Sequence, residues 1–153
     1  MSDSLHIVCP HDDTVNRVPR ARLGDGPRCA KCHQPLFAAE PAELTTERFD
    51  THLTRSDIPV VVDFWAPWCG PCVAMAPAYR EAARELEPQL RVAKVDTQSE
   101  PDLAERFGIR SIPTLVLFSG GREIARQSGA LPRPAIVAWI RSQLHSSQRA
   151  GAR

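Results

Sequence analysis

The chain has 153 residues, of which 42% are apolar and 24% charged, with a net charge of +1; this length builds one domain plus a small extra module, and the near-neutral charge excludes a general polyanion binder. No apolar run is long enough to span a bilayer, and the opening MSDSLHIVCPHDD lacks a basic region followed by an apolar one, so the expectation is a cytoplasmic protein with no membrane association. In a reducing compartment, five cysteines serve metal binding or redox chemistry, not a disulfide framework.

Residues 1–37 carry three of the five cysteines and three of the five histidines but few large apolar side chains. Such a segment cannot build much core, so its folding requires a metal or a partner surface to offset chain entropy. Within it, Cys9-x2-Asp12 is followed sixteen residues later by Cys29-x2-Cys32. That is the spacing of a four-ligand zinc site, with Asp12 standing where a cysteine is expected. Asp12, His11 or His33 can complete the set, and Asp12 suits the geometry best because a CxxC turn puts its first and fourth residues on one side. Two other readings compete: the replacement has ended metal binding and left a loose tail, or zinc is held more weakly and released on oxidation. Arg17, Arg20, Arg22, Arg28 and Lys31 make the segment basic, with Asp25 the only acid between Arg17 and Lys31. Without interleaved aromatics this reads as a solvated face, not a nucleic-acid site.

AAEPAE, residues 38–43, is a junction or leads straight into a first strand or helix, and from Leu44 strand and helix signals alternate. TTERFDTHL reads as a short helix, and VVVDFW (60–65) as a central strand covered on both faces. CGPC (69–72) then opens a helix whose apolar positions are Met75, Tyr79, Ala82 and Leu86. RVAKVDT (91–97) is a further strand, and Leu103 with Phe107 marks a short helix stopped by Gly108. TLVLF (114–118) and REIARQ (122–127) form a hairpin across Ser119-Gly120-Gly121. Pro134 opens a last helix with Ile136, Val137, Ile140 and Leu144 on its apolar face, and the end of the chain, 148–153, is expected to fray. This order implies an α/β domain over 44–147, a mixed central sheet with helices on both faces.

A cysteine at a helix N-terminus faces unpaired N–H groups and a partial positive charge, which stabilise its thiolate, so Cys69 is the nucleophile and Cys72, one turn further in, stays a thiol until needed. A metal site there lacks further ligands, since between His52 and His145 this pair stands alone among Cys and His. Asp63, in the middle of VVVDFW, points into apolar surroundings. It is either one half of a buried ion pair with Lys94 that fixes strand register, or a general base of raised pKa for Cys72. Ile112-Pro113 precedes the strand TLVLF, where Pro113 is a strand-start residue or the second residue of a cis peptide beside the dithiol.

WAPWCGPC, Asp63, Lys94 in VAKVD, FGIRSIPTLVLF and the Gly129 region together resemble thioredoxin, from about Leu44 to about Leu144. The resemblance implies a thioredoxin fold in which Cys69 attacks, Cys72 resolves, Asp63 with Lys94 beside it is the buried base, and Pro113 is a cis-proline. It further implies a substrate surface at Trp68, Gly70, Pro71, Ile112, Pro113 and Gly129. The activity implied is that of a monomeric protein-disulfide reductase acting on disulfide-containing clients and re-reduced by thioredoxin reductase. Its rivals are an oxidant or isomerase on the same fold, and a client-binding holdase with secondary redox activity. The first segment, with NRVP beside its CxxC, resembles the N-terminal extension of two-domain zinc-binding bacterial thioredoxins, which implies structural zinc at Cys9, Asp12, Cys29 and Cys32. That family pattern has four cysteines, so Asp12 is a departure from it.

Overall fold

The computed structural model describes residues 3–151. Its first unit is an antiparallel pair, β1 (Ser4–Val8) and β2 (Val15–Pro19), followed by a single 3₁₀ turn at Arg20–Arg22. One face of the pair turns inward, so Leu5, Ile7 and Val18 meet Cys9, Cys29 and Leu36 in a small buried cluster, and Ile58 from the main domain completes it. The first segment thus has more core than its composition suggests, because five-residue strands buried on one face need only two or three apolar side chains each.

Then follow β3 (Ala42–Glu43), α1 (Thr46–Thr54), β4 (Val60–Trp65), α2 (Gly70–Leu86), β5 (Arg91–Asp96), α3 (Pro101–Arg106), β6 (Thr114–Ser119), β7 (Arg122–Ser128) and α4 (Arg133–Gly151). The expected junction is therefore not all linker: Ala42 and Glu43 pair in parallel with Ala93 and Lys94 of β5. The last helix is drawn from Arg133 to Gly151, and residues 152–153, the end of the expected flexible tail, lie outside the described residues. Five strands form one sheet in the order β3-β5-β4-β6-β7, parallel among β3, β5 and β4 and antiparallel from β6 outward. This is a thioredoxin fold.

β4 is the central strand, and its period-two alternation distributes side chains to two cores. Val60, Val62 and Phe64 join Val95, Val116 and Phe118 beneath Phe49 of α1 and Leu103 of α3. Val61 joins Val92, Leu115 and Leu117 beneath Met75, Tyr79 and Leu86 of α2 and Ile136 and Ile140 of α4. Asp63 has the parity of Val61, so it faces α2.

Two polar clusters weld the first unit to the main domain. Arg91, only 2% exposed, donates to Glu87 Oε2 at 3.3 Å and to the Val8 carbonyl at 3.1 Å, with its guanidinium over the Phe37 ring. Asp13, held at φ 64°, receives Arg48 Nε at 2.9 Å and shares a 2.8 Å hydrogen bond with His52 Nε2, while Arg48 Nη2 donates to the Pro10 carbonyl at 2.6 Å. Burial pushes the His52 pKa down to about 4, so the neutral ring donates its Nε2 proton to Asp13. Breaking a buried pair leaves its partner charged and unpaired, at a cost of roughly 3–5 kcal/mol. Arg91→Met is therefore expected to lower urea stability by about that amount, and adding Glu87→Gln to recover more than half of it. Equal stabilities for the single variant and the parent would show that Arg91 contributes nothing to docking.

Candidate functional site

β4 ends at Trp65, and the turn Ala66-Pro67-Trp68 delivers Cys69 to the N-cap of α2. Cys69 has extended backbone there (φ −86°, ψ 111°), its Sγ accepts the Cys72 N–H at 3.3 Å, and Pro71 occupies the first turn, where a missing N–H costs nothing. Cys69 and Cys72 are joined in a disulfide. Cys69 is 5% exposed and Cys72 1%, so the outer sulfur is the one a second protein reaches first.

Across from the pair, the Ile112–Pro113 peptide is cis, and the Ile112 carbonyl oxygen lies 3.8 Å from Cys69 Sγ. Gly129, at φ 100°, donates its N–H to the Pro113 carbonyl at 2.9 Å. That backbone conformation is one a side chain strains, which explains a glycine here. Trp68 is 71% exposed and with Ile109, Arg110 and Ile112 lines a groove of about 310 Å³ beside the disulfide. Gly70 and Pro71 are exposed on the disulfide's rim. Ile109 and Arg110 are groove wall that no motif marks by itself, although they sit inside the FGIRSIPT stretch.

Behind the disulfide, Asp63 and Cys72 line one cavity of about 130 Å³ together with Trp65, Tyr79 and Lys94. Asp63 is 4% exposed, and its Oδ1 has no hydrogen-bond partner. Burial pushes its pKa from 3.8 up to about 7, against the pull of the Lys94 charge. The Asp63–Lys94 ion pair, one of the two readings of the sequence, is not formed. Lys94 is directly opposite Asp63 in strand register, but its ammonium pairs with Glu43 at 3.4 Å and lies 5.1 Å from the Trp65 ring centroid. The reason is solvation: β3 offers a carboxylate at the wet rim, where a lysine keeps its hydration. Tyr79 does not satisfy Asp63 either, because its hydroxyl donates to the Ala93 carbonyl at 2.6 Å. Arg80 and Glu40, 3.3 Å apart, line the cavity as well.

In the first unit, ligand atoms of Cys9, Asp12, Cys29 and Cys32 all lie within 4.8 Å of one another. Cys9 and Cys32 Sγ are 3.7 Å apart, and Cys29 Sγ is 3.6 Å from Asp12 Oδ1. Tetrahedral zinc with its usual bond lengths sets sulfur atoms about 3.8 Å apart, so the donor set has the right size. The N–H groups of His11 and Lys31 point at Cys9 Sγ (3.3 Å) and Cys29 Sγ (3.4 Å), which favours thiolates. The Thr14 N–H, 3.0 Å from Oδ1, chiefly holds the Asp12 pKa down to about 2, so the carboxylate is ionised at any physiological pH. Burial pushes Cys9 up to about 12, and three thiols crowded with a carboxylate are the arrangement a divalent cation relieves. His11 and His33 stand outside this cluster: His11 Nε2 lies 3.2 Å from the Pro35 carbonyl, and His33 is exposed.

A disulfide at a helix N-terminus, on a mixed sheet and facing a cis-proline loop, defines a class of redox proteins, and the amino-acid sequence agrees with it. Residues 40–142 match the family described as Thioredoxin, so the chain belongs to the thioredoxin family and is a thiol-disulfide oxidoreductase. Residues 8–34 match the zinc-ribbon family described as Thioredoxin 2, N-terminal. Thioredoxin C-3 of Corynebacterium nephridii is 44% identical over 142 residues, covering 93% of this chain and 97% of that protein. Thioredoxin 1 of a Nostoc species is 43% identical over 103 residues, covering 67% of this chain and 96% of its own. The chloroplastic M-type thioredoxin of Chlamydomonas reinhardtii is 38% identical over 131 residues, covering 84% of this chain and 94% of its own.

The raised pKa of Asp63 makes stability depend on pH. Between about pH 4 and pH 7 the folded chain holds a proton that the unfolded chain has released, so stability falls as pH rises through that window. The full penalty is on the order of 4 kcal/mol at 1.36 kcal/mol per unit. Asp63→Asn is expected to be more stable than the parent at pH 8 by up to about that amount, and nearly equal at pH 4. Urea titrations at the two pH values check this, and a gap independent of pH contradicts it.

Proposed function

We propose that this chain is a protein-disulfide reductase whose exchange runs through Cys69 and Cys72. The Cys69 thiolate attacks one sulfur of a client disulfide, forms a mixed disulfide and expels the first client thiolate. Asp63, as carboxylate, takes the Cys72 proton within the cavity they share. The Cys72 thiolate then attacks Cys69 Sγ, the second client thiolate leaves and takes up a proton, and the chain is left with the Cys69–Cys72 disulfide. The client gains two electrons and this chain loses two. A thioredoxin reductase drawing on NADPH returns them.

The observation that carries the reading is the unpartnered Asp63 oxygen behind Cys72: a buried acid of pKa about 7 changes charge at the pH where a thiol must be deprotonated. The groove of Trp68, Ile109 and Ile112 supplies the client's docking surface, with exposed Gly70 and Pro71 on one side of the disulfide and the cis Pro113 peptide, bonded to Gly129, on the other. Cys9, Asp12, Cys29 and Cys32 hold one structural zinc, which supplies a cross-link and no redox chemistry. The division that fits these roles is a zinc module over 1–37, a junction that ends where β3 begins at Ala42, and a thioredoxin domain through α4. A monomer in a reducing compartment, the cytoplasm, suits this chemistry. No helix among the described residues is long and apolar enough to cross a membrane.

Cys69→Ser is expected to abolish insulin reduction, and Cys72→Ser to accumulate a covalent adduct with insulin visible by mass spectrometry. Asp63→Asn should slow turnover at pH 7 by at least about tenfold. Normal turnover by the Cys72 variant rules out the two-thiol route.

Metal analysis of the purified protein is expected to show one zinc per chain, absent in Cys29→Ser and retained in Cys69→Ser. Asp12→Cys should tighten binding in a chelator competition, since thiolate is the softer ligand. Protein that contains no zinc and takes up none means that Asp12 has ended metal binding.

A further inference from the structure

Among the described residues, β2 is paired on one side only. Hydrogen bonds from the Cys9 N–H to the Thr14 carbonyl (2.8 Å) and from the Arg20 N–H to the Asp3 carbonyl (2.6 Å) bracket its ladder with β1. By antiparallel alternation the bonded pairs between them are Ile7 with Asn16 and Leu5 with Val18, so Val15 and Arg17 turn their N–H and C=O groups outward. Those outward groups have no protein partner among the described residues.

They open onto a groove of about 630 Å³ between β2 and the Asp25–Ala30 segment. The far wall is fixed. Asn16, buried beneath the strand, accepts the Ala30 N–H at 2.8 Å, and Arg28 Nη1 donates to the His33 carbonyl at 3.1 Å. The lining is basic: Arg17, Arg22 and Arg28 face the single acid Asp25, which sits 3.9 Å from Arg22. In a chain of net charge +1 this is a local excess of positive charge. No aromatic side chain lines the groove, so it offers nothing on which a nucleic-acid base can stack.

We propose that the outer edge of β2 docks an extended acidic segment of a client protein by strand addition. The free N–H and C=O groups of Val15 and Arg17 pair with its backbone, and Arg17 and Arg22 with its carboxylates. This surface is independent of the dithiol and of zinc chemistry, so it recruits clients whether or not they carry a disulfide, and its failure leaves the reductase reading untouched.

The test is fluorescence anisotropy with the full chain and a fluorescein-labelled peptide alternating glutamate and threonine, at low salt. Saturable binding is expected, weakened at least about tenfold by Arg17→Glu combined with Arg22→Glu, a loss of about 1.4 kcal/mol. A lysine–threonine peptide should not bind. The acidic peptide N-methylated at alternate amides should lose its affinity, because N-methylation removes the strand pairing while keeping the charge. The charge-reversed variant should keep the parent's far-UV circular dichroism and its resistance to proteolysis between β1 and Phe37, which establishes that the first unit is folded. Absence of saturable binding, affinity unchanged by charge reversal, or equal affinity for the N-methylated peptide each overturns the proposal. So does tighter binding of a single-stranded oligonucleotide of equal charge, which would make the groove a nucleic-acid surface.

Discussion

One strand covered on both faces positions both the buried acid and the disulfide of this protein. β4 lies between β5 and β6 and is buried from Val60 to Phe64. A strand in that position cannot slip by one residue without exchanging its two sets of side chains between two different cores. The register therefore decides two things together. Asp63 is turned towards α2 and into a cavity with Cys72, and the strand's end hands the chain to Cys69 at the first turn of α2. The acid and the dithiol share a site because they are six residues apart on one strand and the helix that follows it.

The state of Asp63 follows from what surrounds it and not from its neighbour in register. Lys94 is opposite in the ladder, yet its ammonium is at the wet rim with Glu43, so its charge lowers the Asp63 pKa less than burial raises it. A tight buried pair would have held the carboxylate ionised at all relevant pH values. A carboxyl near its midpoint at neutral pH costs stability, and in its ionised form it is the proton acceptor that the proposed exchange uses.

The first unit depends on the second for more than tethering. Its cluster borrows Ile58, its carbonyls at Val8, the end of β1, and Pro10 are capped by Arg91 and Arg48, and Asp13 is neutralised by Arg48 beside a neutral His52. Asp13 directly follows Asp12, so the docking contacts and the donor cluster hold the same turn. The turn that carries Asp12 is therefore organised by protein contacts on one side.

Elements with strong local patterns were legible from the amino-acid sequence alone: the β-branched run of β4, the hairpin across Ser119-Gly120-Gly121, the apolar face of α4 and the CGPC turn at a helix start. So was the grouping of Cys9, Asp12, Cys29 and Cys32, because short turns at fixed spacing constrain their own geometry. Strands β1, β2 and β3 were not legible, being two to five residues long and owing their burial to distant partners such as Ile58 and β5. Nor could sequence decide whether Lys94 pairs with Asp63 or with Glu43, or that Arg91 is the buried bolt between the two units. Local pattern specifies which backbone conformation a segment adopts, whereas the partner of a long charged side chain depends on which other segments arrive within reach and on where water remains. That is determined only when the whole chain has packed.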